Sequence, residues 1–200
     1  MTHLTKFEET LLAVVMVCKN NSILYALIGG LAGIAHKLSR TTQDIDITLL
    51  VDIKDIRKIG EILLAKFIPL KENPLDFFEK YFVLPVYYKP TKIRIDFSAG
   101  LSGFDKMVIK RSKSIKFGNV QVSVCSIEDL IIYKIIASRL QDMADVEELF
   151  RIHYKTIDRK YLRNVAKAFI DLERNDIIQK LERFFTQFHR ASPELQDRFK

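Results

Sequence analysis

Between Leu4 and Lys19 apolar residues recur every three or four positions, the repeat of an amphipathic helix, and Thr2 or Thr5 is placed to cap it. Asn20, Asn21 and Ser22 interrupt that repeat. The run ILYALI, Ile23 to Ile28, is rich in β-formers and closes on Gly29 and Gly30, which predicts a strand and a tight turn. Helical spacing resumes from Leu31 to Leu38, and Thr42 to Val51 returns to strand-like alternation. Asp52 to Phe67 fits an amphipathic helix, and Glu79 to Lys89 and Thr91 to Gly100 read as two strands parted by Pro90. KSIKF and VQVSV flank Gly118-Asn119, a two-residue hairpin signal.

From Ser126 the character changes. Ser126 and Asp129 stand as an N-cap and an acidic N3 residue, close to a capping box. Helical periodicity continues from there to about His189, with Pro193 and a polar tail beyond. Phe184, Phe185 and Phe188 share one helical face and read as core. The pattern predicts an α+β (α/β) fold: a mixed β-sheet flanked by helices over residues 1–125, then a C-terminal helical bundle over 126–200. No Gly/Ser/Pro linker separates the two halves.

Two hundred residues at 48% hydrophobic content suffice for a buried core,. The longest apolar runs, Leu11 to Cys18 and Ile127 to Ile136, are too short or too interrupted by charge to span a membrane. A glutamate pair precedes the first run and no small-residue cleavage site follows, so the N-terminus does not read as a signal peptide; the expected location is the cytoplasm, with no membrane partner. Cys18 and Cys125 sit in apolar contexts and read as small hydrophobes. The net charge of +7 points to an anionic partner, although no block of five like charges marks a nucleic-acid tail. Positive charge concentrates in KRSKSIK (Lys110 to Lys116) and DRKYLRNVAK (Asp158 to Lys167), which either line a phosphate-rich cleft or face water.

The chemistry rests on Asp44 and Asp46. In a strand, Ile45 and Ile47 point one way and the two aspartates the other, their Cα atoms about 7 Å apart. Two like charges about 4 Å apart repel by roughly 4 kcal/mol at an effective dielectric near 20. A cation between them, or protonation of one, removes that cost; the bland alternative is that the pair ends a strand or caps a turn. KIRIDFS supplies a third carboxylate, Asp96, on the face it shares with Lys92 and Arg94. If that strand lies beside the first, three carboxylates form a hard-oxygen site suited to Mg²⁺. With two such ions the arrangement can bind a triphosphate and activate a hydroxyl, and Asp96 is the candidate general base. Gly29 and Gly30 let backbone approach a ligand closely, and the helix start after them offers N–H groups to phosphate.

IGGLAGIAHKLSRTTQDIDI resembles the signature of the DNA polymerase β-type nucleotidyltransferase superfamily, in which a glycine pair and Asp-x-Asp hold the nucleotide and metals. The long spacing, with His36, Arg40 and Thr41 between, is similar to the AbiEii-like branch of type IV toxin nucleotidyltransferases. SIEDLIIYKIIASRLQDMADVEEL resembles the same branch in its Ser-x-Glu-Asp-Leu start followed by Lys134, Arg139, Asp142 and Asp145. The resemblance covers roughly Leu27 to Leu149. It implies that Gly29 and Gly30 contact the triphosphate, that Asp44 and Asp46 hold metal, and that Asp96 holds metal or the acceptor hydroxyl. Lys134 would reach the phosphates, while Arg40, Thr41, Arg139 and Asp142 would shape the nucleotide pocket or hold the two halves together. The residues alone also allow Arg139 and Asp142 to be a helix-surface ion pair, Arg40 to end a helix, and His36 to be a packing residue. One departure stands out: many relatives carry a His-Gly pair in the helix, and here Lys37 follows His36.

The implied activity is a metal-dependent transfer of NMP from an NTP to a hydroxyl acceptor. RNA or tRNA, a protein, and a small molecule such as an aminoglycoside are the acceptor classes, and the chain could be the toxin beside a cognate antitoxin. The alternative is a nucleotide- or partner-binding module that keeps the fold without turnover; three mutually repelling aspartates argue against it.

Overall fold

The structure, a computed structural model, describes residues 4–197, with side chains as far as His189. By Cα proximity the chain forms two compact units, Met1–Ala35 with Ser39–Ser126, and His36–Leu38 with Ile127–Lys200.

The first unit opens with α1 (Lys6–Asn20), and Thr5 is its cap. The Thr5 hydroxyl accepts from the Glu8 amide while the Glu8 carboxylate accepts from the Thr5 amide, satisfying two of the donors a helix start leaves unpaired. Thr2, the other expected cap, lies outside the described residues. Glu8 does more than cap: its second oxygen accepts the Asn119 N–H at 3.0 Å, tying the helix start to a hairpin tip far along the chain. There follow β1 (Tyr25–Ile28), α2 (Gly29–Ala35), β2 (Asp44–Leu50) and α3 (Ile56–Leu64). Then come β3 (Ile68–Pro69), α4 (Pro74–Tyr81), β4 (Val83–Tyr87), β5 (Arg94–Gly100), α5 (Gly103–Arg111), β6 (Lys113–Phe117) and β7 (Val120–Val124). The seven strands form one mixed sheet in the order β3-β4-β5-β2-β1-β7-β6, the nucleotidyltransferase-type sheet that the resemblance implies. The turn between β6 and β7 is the predicted Gly118-Asn119 pair.

Register fixes which side chains share a face. β2 runs parallel to β5 with Ile45 opposite Ile95 and Ile47 opposite Phe97, and antiparallel to β1 with Leu27 opposite Ile47. Those residues, with Leu84, Val86, Val122 and Val124, are buried and form the core face, each contributing about 1.5–3 kcal/mol by leaving water. Alternation then forces Asp44, Asp46, Thr48, Arg94, Asp96 and Ser98 onto the opposite face.

Three stretches differ from the pattern-based expectation. Asp52 to Phe67 divides into a 3₁₀ turn at Ile53–Asp55, started by the Asp52 side chain, and α3. Glu79 to Tyr81 belongs to α4 rather than to a strand; Asn73 and Pro74 start that helix, proline at the first helical position being favourable there, and Phe82 ends it in the left-handed conformation at φ +59°. α5 was not expected, although Ser102 and Asp105 form a capping box at its start.

The second unit contains α6 (Ile127–Ala137), α7 (Leu140–His153), α8 (Arg159–Ala168) and α9 (Asn175–Asp197). The last helix runs past His189 and through Pro193, beyond the predicted end. Phe150 is its aromatic centre, with the rings of Phe184, Phe185 and Phe188 at 5.5, 5.4 and 5.7 Å, the core role expected of that trio. Among the described residues no helix is long and apolar enough to cross a membrane.

After α2 the chain turns at Lys37, whose φ is +71°. This is the position where the departure from His-Gly falls, and the backbone adopts the left-handed conformation that glycine takes without strain. A β-carbon there costs roughly 1–2 kcal/mol, partly offset by the extra freedom glycine brings to the unfolded chain. Lys37→Gly is therefore expected to stabilise the protein by about 0.5–1 kcal/mol, read from the midpoint of urea unfolding.

Candidate active site

The strand β1 passes into α2 without a loop. Gly29 makes the turn at φ +65°, and a β-carbon on it would lie 1.9 Å from Oδ2 of Asp46. The glycine therefore admits the Asp46 carboxylate to the backbone itself. Gly30 gives room to a different neighbour: a β-carbon there would meet the Thr42 hydroxyl at 2.7 Å and Arg40 Nη2 at 3.4 Å. Thr42 in turn donates to Asp44 Oδ1 at 2.8 Å. Thr41, expected at the nucleotide pocket, is exposed; the threonine against Gly30 and Asp44 is Thr42. Alternation counted backwards from Asp44 identifies it, since residues two apart share a face.

Across the ladder, Asp46 lies directly opposite Asp96, their Cα atoms about 4.8 Å apart by strand spacing. Asp44 lies opposite Arg94. Arg94 donates through Nε to Asp96 Oδ1 and through Nη2 to Asp96 Oδ2, each at 2.9 Å, the bidentate fork of a guanidinium on a carboxylate. The hydrogen bond to Asp96, with the charges of Asp96, Asp44 and Asp46 acting against the effect of burial, raises the Arg94 pKa above its ordinary value. One guanidinium thus senses all three carboxylates. Farther along the same face, the hydroxyl of Thr48 is buried without a hydrogen-bond partner.

The donor chemistry of this face suits a divalent cation: carboxylate oxygens from two adjacent strands, with Gly29 leaving space against Asp46. Among the described residues, no three His, Cys, Asp or Glu side chains stand gathered around a single metal position, and both oxygens of Asp96 are engaged by Arg94.

Positive charge collects at the same end of the sheet. Asp46 pairs with Ile28, Leu27 with Val124, and Val124 with Lys113, so Lys113 lies level with the aspartates along the sheet, three strand spacings or about 14 Å away, in the row of Leu27 and Val124 on the opposite face. Lys110 and Arg111, in the last turn of α5, lead directly into it.

The remaining predicted residues lie in the helical unit. Lys134 is only 4% exposed and its Nζ is 2.5 Å from Asp145 Oδ2 and 3.5 Å from Asp142 Oδ1, both partners being equally enclosed. Asp142 also accepts from Arg139 Nε at 2.6 Å. Burial pushes the Asp142 pKa up, but the Arg139 hydrogen bond and the charges of Lys134 and Arg139 outweigh it, and the carboxyl stays below its ordinary value. The resemblance implies Lys134 at the phosphates and Arg139 and Asp142 at the nucleotide pocket or between the halves, with an ion pair the other possibility for the last two; in the structure Arg139 and Asp142 are paired, and Lys134 is engaged by Asp142 and Asp145. His36 offers its carbonyl to His153 Nε2 at 2.8 Å. In the basic stretch DRKYLRNVAK, Arg163 pairs with Glu182 at 2.6 Å and Arg159 is stacked 4.1 Å from the Tyr154 ring, while Lys160 and Lys167 are exposed.

A mixed sheet with Asp-x-Asp on one strand, a third Asp in register on the next and a glycine pair against them defines a nucleotidyltransferase fold. The chain belongs to the family described as nucleotidyltransferase of unknown function (DUF6036), which it matches over residues 3–192. A search of curated proteins finds no match. Solved structures share the fold at low identity. An antigenic nucleotidyltransferase-like protein from Paracoccidioides brasiliensis is 14% identical, with 88% of this chain and 91% of that chain covered and a TM-score of 0.50. ANT(2")-Ia in complex with adenylyl-2"-tobramycin is 12% identical, with coverage of 92% and 99% and a TM-score of 0.50. A candidate nucleotidyltransferase from Thermotoga maritima is 11% identical, with coverage of 73% and 93% and a TM-score of 0.50.

Gly29→Ala is expected to destabilise the protein by about 2–4 kcal/mol, because it combines a strained φ with a clash on Asp46; thermal and urea unfolding measure it. In the helical unit, Lys134→Met leaves the enclosed Asp145 without its cation and Asp142 with Arg139 alone, and the expected loss is about 3–5 kcal/mol in the same unfolding assay.

Proposed function

We propose that this chain is a Mg²⁺-dependent nucleotidyltransferase that moves NMP from an NTP to a hydroxyl of RNA, tRNA included, and that it acts as the toxin of a toxin–antitoxin pair of the AbiEii-like sort. The observation that carries the reading is the register of Asp46 against Asp96, with Asp44 on the same face and Gly29 against Asp46.

In this reading Asp44 and Asp46 hold the metal, with Asp96 as a further ligand. Divalent ions there supply charge neutralisation for the triphosphate and its leaving group. Gly29 and Gly30 bring backbone against the phosphates, and Arg40 and Thr42 line that approach. Asp96 takes the proton of the acceptor hydroxyl as its oxygen bonds to the α-phosphorus. The bond from that phosphorus to the bridging oxygen breaks, and pyrophosphate leaves with the electron pair. An RNA acceptor is favoured over a neutral small molecule by the net charge of +7 and the basic stretch Lys110 to Lys116, since phosphate backbones are bound mainly by Lys and Arg. Lys134, enclosed between Asp142 and Asp145, serves in this reading as an internal support of the helical unit.

The test is incubation of the protein with each of four α-labelled NTPs, Mg²⁺ and total RNA, and separately with protein lysate. Label is expected on RNA with wild type and on nothing with Asp46→Ala. Label on protein would move the acceptor assignment to a protein hydroxyl. Tight NTP binding with no transfer to either would replace the enzyme by a nucleotide-binding module.

A further inference from the structure

We propose that Arg94 is a built-in counter-cation of the acidic face, which a divalent metal must displace from Asp96 in order to bind. The inference rests on the reading of Asp44, Asp46 and Asp96 as the metal-holding carboxylates and adds a role for a residue outside that set.

Three features of the geometry carry it. Arg94 engages both oxygens of Asp96 at 2.9 Å, so one lone pair on each is taken by an N–H donor, and a positive charge already sits against the carboxylate, where it repels a metal ion approaching the same oxygens. A guanidinium remains charged at any physiological pH, so it cannot vacate the carboxylate by losing a proton and has to move. The exposure of the two partners then decides which of them moves. The Arg94 side chain is 53% exposed and the Asp96 side chain 20%. The acid is held in place by a strand paired on both sides, with β2 and β4, while the arginine head is on a flexible stem at the solvent side.

Location separates this pair from an ordinary surface ion pair. Arg94 lies opposite Asp44 and two residues before Asp96, which itself lies opposite Asp46. Arg94 is thus set among three negative charges, and its removal leaves them facing one another. Binding is then an exchange: two N–H···O bonds to Asp96 break, carboxylate oxygens pass to the ion, and the guanidinium is released to water or to an incoming phosphate. The device lowers the cost of the metal-free state and, to the same degree, weakens metal binding. Both effects disappear together when the cation is removed.

Mn²⁺ binding to the full chain, followed by the loss of the free-ion electron paramagnetic resonance signal, tests the exchange with no reference to turnover. Wild type, Arg94→Gln, Arg94→Lys and Asp46→Asn are compared, and melting temperatures are taken with EDTA and with saturating Mn²⁺. Arg94→Gln is expected to bind Mn²⁺ about three- to tenfold more tightly than wild type, given a charge-assisted pair discounted for its exposure. Arg94→Lys, with the charge kept and the fork lost, should fall between them. In EDTA the Gln variant should melt below wild type, and Mn²⁺ should raise its melting temperature by more. If Asp46→Asn abolishes wild-type binding while Arg94→Gln binds equally or more weakly, the counter-cation role is overturned and the carboxylate site stands. If wild type binds no Mn²⁺, or Asp46→Asn has no effect, both fall. Should Arg94→Gln fail to fold, Arg94→Lys decides: an affinity equal to or below that of wild type overturns the proposal.

Discussion

The parallel pairing of β2 with β5 is what sets the aspartates abreast. A one-residue slip of either strand would turn its whole acidic row into the core, and the apolar residues Ile45, Ile47, Ile95 and Phe97 forbid it, because they would then face outward,. The same burial that holds the sheet together therefore holds Asp46 against Asp96. The fold contributes a geometry that electrostatics alone would oppose, since like charges across a ladder repel. Arg94 relieves the opposition within the face, and Gly29 lets the backbone approach the Asp46 carboxylate.

The helical unit meets a related problem in a different medium. Lys134 stands among Asp142 and Asp145 with almost no access to water. There the desolvation of each charge is large, and the cluster persists only while all its members are present. Arg94 and its neighbours remain partly solvated, so their attractions are screened and exchange is open to them. Two carboxylate-rich clusters in one chain thus differ in kind: the one around Lys134 is sealed from water, and the one around Arg94 stays open to it.

Much of this was legible in the sequence, for identifiable reasons. Strict alternation in DIDITLL and RIDFSAG shows faces without any knowledge of partners, and the Gly29-Gly30 pair marks the turn between strand and helix. The resemblance added the expectation of the sheet type. What remained hidden depended on competition between signals or on tertiary partners. Tyr81 and Phe82 are good strand formers, yet the start at Asn73-Pro74 holds Tyr81 in α4. The Ser102-x-x-Asp105 box was as readable as the one suspected at Ser126, but no apolar repeat of usual length follows it. Lys134 stood out as a charge inside an apolar run; that its partners are one helix away is a matter of packing, which periodicity does not encode. Arg94 was placed on the acidic face by alternation, but its engagement with both oxygens of Asp96 is a matter of side-chain geometry.

Glu8 links two parts of the chain that are 111 residues apart, through the Asn119 amide. The hairpin tip it fastens joins the edge strand β6 to its neighbour β7, at the end opposite Val124 and Lys113. The opening turn of the first helix consequently acts as a clasp on the sheet's margin. Loss of the Glu8 carboxylate would release that margin while leaving the ladder between β2 and β5 paired, so a change in this helix start would be felt as altered durability of the sheet's edge.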